Sequence, residues 1–364
     1  MRQMINHYRK MVLCGGRAST YTGSMTSEND SDLPSPDRVE RIAVLGMGSV
    51  GASWAALFLA GGLEVVAHDP APGAEQRARD FIRQAWPALI ELGRTTLPEP
   101  DWARLRFADS AARAAREAQV IQENIPEKPE LKASVLAEVD AAAAPHKIVL
   151  SSTGGIPPTR MQASCRHPER LVVMHPFNPA HLIPLVEVVG GEHTSPEVVQ
   201  WAMEFARHLG KHPIRLHTEA SGHMTNRLQF ALVREAIACL VEGVASARDI
   251  DAAVRWGLAP RWALMGGLMT LHLAGGPGGM RGILDHAGAA IQQWWQPAPE
   301  PRLTPEVVRR LVDAAQEVSD GRPVADWVRW RDRSLVDVLN LQHKMESSAP
   351  GAAGGASEKK DLSS

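Results

Sequence analysis

The uncharged run from Ile42 to Leu63 constrains this chain more than any other stretch. It is long enough to cross a bilayer, yet it carries glycines at 46, 48, 51, 61 and 62, and their spacing gives a different reading. The apolar strand Arg41–Leu45 runs straight into Gly46-Met47-Gly48-Ser49-Val50-Gly51 and then into the helical stretch Ala52–Ala60. Gly46 permits a tight turn, Gly48 lets backbone approach a pyrophosphate, and Gly51 lets the helix pack closely on its strand. The helix N-terminus then faces the phosphates. A second strand ends in Val65-Val66-Ala67-His68-Asp69, eighteen residues past the last glycine, where a carboxylate can bind an adenosine ribose. Taken alone, such a glycine turn is a common accident; strand, turn, helix, strand and acid in sequence are not. The unit predicts a dinucleotide site made of Gly46, Met47, Gly48, Ser49, Val50, Gly51 and Asp69. Glu123, just past the strand Val120–Gln122, is assigned to the same site. Asp69 favours NAD by repelling a 2′-phosphate, a preference softened by the nearby His68 and Arg77.

The rest of the chain must supply what a nucleotide fold needs. At 364 residues it has room for two domains. Lys plus Arg number 39 against 41 Asp plus Glu, so no basic field exists to draw nucleic acid or anionic lipid. Cys14, Cys165 and Cys239 form no CxxC pair, which argues against a disulfide framework or zinc site and fits a reducing, cytoplasmic setting. No secretory leader is visible, and no metal site is expected.

Short apolar runs alternate with helical stretches through the first half: 41–45, 64–67, 105–107, 120–122, 147–150 and 171–174, then 185–189 and 213–216. This alternation is the pattern of a mostly parallel sheet covered by helices. From about Gly222 the strands stop, and 222–244, 249–256, 262–273, 304–319 and 324–345 read as helices. The expected fold is therefore α/β, a Rossmann-type sheet domain over residues 38–218 followed by an all-helical domain over 219–345. Residues 1–37 and 346–364 are polar or small-residue tails, expected to be disordered.

A second unusual segment is Val173-Met174-His175-Pro176-Phe177-Asn178-Pro179. A histidine leaving a buried strand into a proline-fenced loop points in a fixed direction, as a general base must. Glu187, twelve residues on, puts a charge in the next apolar strand, where charges are costly unless paired. Singly, either residue reads as structural. Together, a His175–Glu187 pair would fix the tautomer and leave the outer nitrogen for a substrate hydroxyl.

Met174-His175-Pro176-Phe177-Asn178-Pro179, Glu187 and Gly222-His223-Met224-Thr225-Asn226-Arg227-Leu228 together resemble the 3-hydroxyacyl-CoA dehydrogenase superfamily, over nearly all of residues 39–345. The resemblance implies an NAD-dependent dehydrogenase of hydroxy acids. His175 would be the base, Glu187 its partner and Asn226 a donor near the substrate oxygen; it also implies a homodimer formed through the helical half. Finer features, Asp69–Gly73, Trp86–Leu89, Arg261–Gly266 and His272–Gly276, resemble the branch that oxidises L-carnitine to 3-dehydrocarnitine. One departure stands out. Gly154 occupies the position of the superfamily's active-site serine, so Ser152, Thr153, a water or nothing must supply that hydrogen bond.

The expected substrate is a small hydroxy acid contacted by Ser152, Thr153, Phe177 and Asn178. A quaternary ammonium would be held by aromatic faces and a carboxylate, with Phe177, Trp256 and Trp262 as the available rings. A 3-hydroxyacyl-CoA thioester and L-gulonate are alternatives. A non-catalytic, crystallin-like NAD-binding relative is the rival from another class, because Gly154 lacks a hydroxyl.

Overall fold

In the computed structural model, residues 33–295 and 301–346 are described. The first half forms one eight-stranded sheet: β1 Arg41–Leu45, β2 Glu64–His68, β3 Leu105–Phe107, β4 Val120–Glu123, β5 Ile148–Ser151, β6 Leu171–Pro176, β7 Leu185–Gly190 and β8 His212–Arg215. Between them lie α1 Ser49–Ala60, α2 Ala74–Glu91, α3 Ala111–Glu117, α4 Pro129–Ala142, α5 Pro158–Gln162 and α6 Pro196–His208. The strand order is β3-β2-β1-β4-β5-β6-β7-β8, so the order reverses between β1 and β4, beside the glycine turn.

Strands β4, β5 and β6 are buried along their whole length, as strands covered on both faces must be. Alternate residues of β1 feed two cores: Ile42 and Val44 face Trp54, Phe58, Trp86 and Phe205, while Ala43 and Leu45 face Ala114, Leu136, Val139 and Met161. The stretch that could have crossed a membrane is thus β1, its turn and α1. Among the described residues, no helix is long and apolar enough to span one.

All neighbouring strands are parallel except β6 and β7, which pair antiparallel with His175 opposite Glu187. The helices of the second half are α7 Thr225–Glu242, α8 Ala247–Ala252, α9 Ala259–Ala274, α10 Gly279–Trp294, α11 Pro305–Val318 and α12 Val324–Glu346. A π-helical segment, Ala253–Leu258, joins α8 to α9. Helix α9 breaks at Gly266, whose φ is 72°.

Two expectations need correction. Residues 33–37, assigned to a disordered extension, are ordered: Leu33 packs on the core, the Pro34 carbonyl accepts from the Trp201 indole, and Pro36–Arg38 forms a 3₁₀ turn. Burial of an indole that needs an acceptor supplies the reason. Helix α10 was not foreseen, because Gly279, Gly282 and Gly288 lower its intrinsic propensity. The remaining tail residues, 1–32 and 347–364, lie outside the described ones.

The connection between β6 and β7 is held from below by Lys211, whose ammonium donates to the carbonyls of Ala180 and Ile183, the latter at 2.8 Å, and lies 5.3 Å from the Trp54 ring. Burial pushes this lysine from 10.5 down to about 7. Between those values the unfolded chain keeps a proton that the folded chain has released, so Lys211 makes stability rise with pH across that window. Denaturant titrations of wild type and Lys211→Met from pH 7 to pH 10.5 are expected to show a shallower rise in the variant.

Candidate active site

The nucleotide end is built by backbone crowding. Gly46 has a φ of 82° and donates its N–H to the His68 carbonyl at 2.8 Å. A Cβ at position 51 would lie 1.8 Å from the Gly46 carbonyl oxygen, so only glycine lets α1 start so close to the turn. A Cβ at Gly48 meets nothing within 4 Å, which leaves open space over the turn. Asp69 accepts from the N–H of Met47 at 2.7 Å and of Ala71 at 2.9 Å, tying the end of β2 to the turn. Beside it lies a groove lined by Asp69, Gly73, Arg79, Phe107 and Ala108. His68 faces the Ala108 carbonyl at 3.1 Å, and Arg77 donates to the Pro72 carbonyl at 2.7 Å, so both basic groups are committed locally. Turn, open space, helix start and acid all suit a dinucleotide.

The catalytic end begins with the β6–β7 register. His175 and Glu187 are cross-strand neighbours, and Nδ1 of His175 meets Oε2 of Glu187 at 2.9 Å. The other oxygen, Oε1, accepts from Thr225 N at 2.7 Å, Thr225 Oγ1 at 2.9 Å and Met224 N at 3.2 Å, at the start of α7. Burial would push Glu187 up, but the hydrogen bonds from His175 and Thr225 outweigh it and hold the carboxyl below its usual range. An ionised Glu187 accepts a proton-bearing Nδ1, which leaves the lone pair on Nε2.

Nε2 faces Gly154. A Cβ there would be 3.1 Å from Nε2 and 3.3 Å from Nδ2 of Asn226. Asn226 donates from Nδ2 to the Gly154 carbonyl at 3.0 Å, so base, amide and glycine converge on one point. The His175 side chain is 9% exposed, enough to reach an opening and no more. Phe177 packs its ring 4.8 Å from that of His175, and Asn178 is exposed at the head of the loop.

The hydroxyls expected to replace the missing serine are engaged elsewhere. Ser152 Oγ accepts from Trp54 Nε1 at 3.0 Å and Gln122 Nε2 at 2.9 Å and donates to Asn124 at 2.8 Å. Thr153 is buried and donates its hydroxyl to Glu127. Glu123 is fully buried: Oε1 accepts from Lys132 at 2.8 Å and Ile125 N at 2.7 Å, and Oε2 from Ser151 at 2.5 Å. These three residues shape the loop from 152 to 156 from within.

Two residues of the site escaped the sequence reading. Glu127 accepts from Thr153, Gly155 N at 3.1 Å and Ile156 N at 3.3 Å, and so clamps that loop. His223 is buried, holds a φ of 49°, approaches the Thr153 carbonyl with Nε2 at 3.0 Å and lies ring to ring 5.3 Å from His175. Its motif neighbours were legible, but its own packing has no local signal.

With a Rossmann sheet, a glycine turn and a buried His–Glu pair at one crevice, the class is a nucleotide-dependent dehydrogenase. Models of the 3-hydroxyacyl-CoA dehydrogenase NAD-binding and C-terminal domains match residues 41–220 and 222–326. The chain belongs to the 3-hydroxyacyl-CoA dehydrogenase family and is an NAD-dependent hydroxy-acid dehydrogenase. It is 46% identical to the L-carnitine dehydrogenase of Streptomyces coelicolor, over 86% of this chain and 98% of that one. It is 43% identical to the L-carnitine dehydrogenase of Streptomyces griseus, over 92% and 99%. Among solved structures it is similar to 5-formyl-3-hydroxy-2-methylpyridine 4-carboxylic acid 5-dehydrogenase, an NAD-dependent dismutase, with a TM-score of 0.73 and 31% identity over 84% of this chain and 99% of that one.

The crowding at the turn has a direct consequence. Gly51→Ala is expected to push α1 off the turn and weaken NADH binding by about tenfold or more, measured by fluorescence titration.

Proposed function

We propose that this chain oxidises the 3-hydroxyl of L-carnitine to 3-dehydrocarnitine, with His175 as general base. The observation that carries the reading is the 2.9 Å His175–Glu187 contact, which frees Nε2 at the point where Gly154 and Asn226 meet. The L-carnitine dehydrogenase relatives support the substrate.

The residues from Gly46 to Gly51, with Asp69, would hold NAD, which when bound supplies the acceptor for the hydride leaving the carbinol carbon. Nε2 of His175 takes the hydroxyl proton, and the imidazolium so formed is held by the Glu187 carboxylate through Nδ1–H. Asn226 gives one amide hydrogen to Gly154; the second is placed to donate to the substrate oxygen. Phe177 and Asn178 flank the opening. Ser152, Thr153 and Glu123 act through the loop they brace. The nucleotide half, residues 38–218, and the helical half, residues 219–345, thus each contribute to one site.

Incubation with NAD and L-carnitine is expected to produce NADH, while L-gulonate and 3-hydroxybutyryl-CoA are turned over far less well. His175→Ala should lower kcat by about 10²–10⁴-fold and leave NAD binding in place. A folded, NAD-binding protein inactive on all three substrates would instead favour the non-catalytic reading.

The helical half also favours a homodimer. Among its described residues only His223, Ala238, Ala247, Gly279 and Val336 are buried, while Trp256, Leu268 and Trp294 stand at least 70% exposed. Helices that bury so little of their own apolar surface need a second surface, and an identical copy supplies one that matches. Sedimentation should give twice 39.5 kDa, and Leu268→Asp should shift the species toward the monomer.

A further inference from the structure

Three successive carbonyls of the loop beside the base, those of Thr153, Gly154 and Gly155, are each met by the short segment that opens α7. His223 Nε2 lies 3.0 Å from the first, Asn226 Nδ2 lies 3.0 Å from the second, and Gly222 N lies 3.5 Å from the third. Residues far apart in the chain thus form one seam between the sheet half and the helical half. It runs beside His175, whose ring is 5.3 Å from that of His223. His223 is the one titratable residue of the seam, and the proposed chemistry leaves it unused.

Its protonation follows from its partners. A carbonyl only accepts, so Nε2 carries the proton and Nδ1 the bare lone pair. Among the described residues nothing donates to that buried Nδ1. Burial, with the repulsion of a charge on His175, holds the imidazole below the usual histidine range against the opposing pull of the Thr153 carbonyl, Glu187 and Glu127. His223 is therefore neutral at neutral pH, in a single tautomer.

We propose that His223 is a positioning residue for the reaction: the hydrogen bond from its Nε2 to the Thr153 carbonyl seats the loop from 153 to 155 on the start of α7 and so fixes where Gly154 and the Asn226 amide stand beside the base. The inference rests on the reading of His175 as base in the preceding subsection.

The backbone supports it. His223 holds a φ of 49°, a left-handed conformation that a non-glycine residue keeps only where its surroundings enforce it. Its own N–H donates to the Ala220 carbonyl at 2.9 Å, and the next two, of Met224 and Thr225, donate to Oε1 of Glu187. The turn thus sends the imidazole to the loop and the following backbone donors to the carboxylate that also holds His175. Gly154 has no side chain to fix it, so the carbonyl that receives Asn226 is placed by its neighbours, and on one side that neighbour is held by His223. Such placement matters, because a shift of about 1 Å at a reacting centre can cost about 10²-fold in rate.

The test compares two variants. Glutamine carries its amide nitrogen as many bonds from Cβ as histidine carries Nε2, so His223→Gln keeps the donor, whereas His223→Phe keeps a ring and removes it. With NAD and L-carnitine, His223→Phe is expected to lower kcat by about tenfold to 10²-fold, with KM and the Kd of NADH within about threefold, and His223→Gln to recover kcat to within about threefold of wild type. Hydrogen exchange of the full chain should quicken about tenfold in segments 152–156 and 222–226 in His223→Phe alone. Nitrogen NMR of the histidine side chains should find His223 neutral with its proton on Nε2. A proton on Nδ1 instead overturns the inference. So does an unchanged kcat in His223→Phe, an equal loss in both variants, a loss confined to KM, or exchange that quickens throughout the chain, which would make His223 an ordinary core residue. If wild type leaves L-carnitine untouched, the preceding reading falls, while the tautomer and the confined exchange still decide, without turnover, whether His223 seats the loop.

Discussion

A single buried carboxylate ties the molecule together. Glu187 sits in the middle of β7, fully enclosed, where an ion without partners would be too costly to keep. Its two oxygens point to different parts of the protein: one to His175 across the strand pair, the other to the first turn of α7. The first contact orients an imidazole, and the second anchors the helical half to the sheet. Asn226 is positioned by that anchor, because it lies one residue past Thr225 and reaches Gly154. The geometry at the crevice therefore depends on satisfying one charge.

A second constraint is steric. The glycine turn and Gly154 both work by lacking a side chain, but for different reasons. Gly51 is needed because backbone already fills the place of its Cβ. Gly154 leaves clear the space beside His175 and Asn226. Beside that position, Glu123, Lys132, Glu127, Ser152 and Thr153 form a network of hydrogen bonds and ion pairs that braces the loop. The hydroxyls of Ser152 and Thr153 are taken up by that network.

The helical half shows the opposite economy. Its helices form from local signals such as Thr304 and Ser246, whose hydroxyls accept from Val307 and Asp249 at the helix starts. They bury almost none of their apolar side chains within the described residues. Helix formation and helix burial are separate matters here; the first is local, and the second is not reached among the described residues.

Much was legible from residue order alone. The strand–turn–helix at 41–60, the alternation behind the sheet, the helical second half and the candidacy of His175 and Glu187 all follow from patterns spanning a few residues, where periodicity and glycine spacing act directly. Helix α10 was hidden because its glycines contradict the propensity rule that its packing against α9 overrides. The antiparallel register that sets His175 opposite Glu187, the diversion of the Ser152 and Thr153 hydroxyls, the inward turn of Glu123 and the arrival of Glu127 and His223 at the crevice were decided only in three dimensions. Each depends on residues far apart in the chain, and a hydrogen-bond partner or a buried charge is chosen by distance in space, which local sequence does not encode.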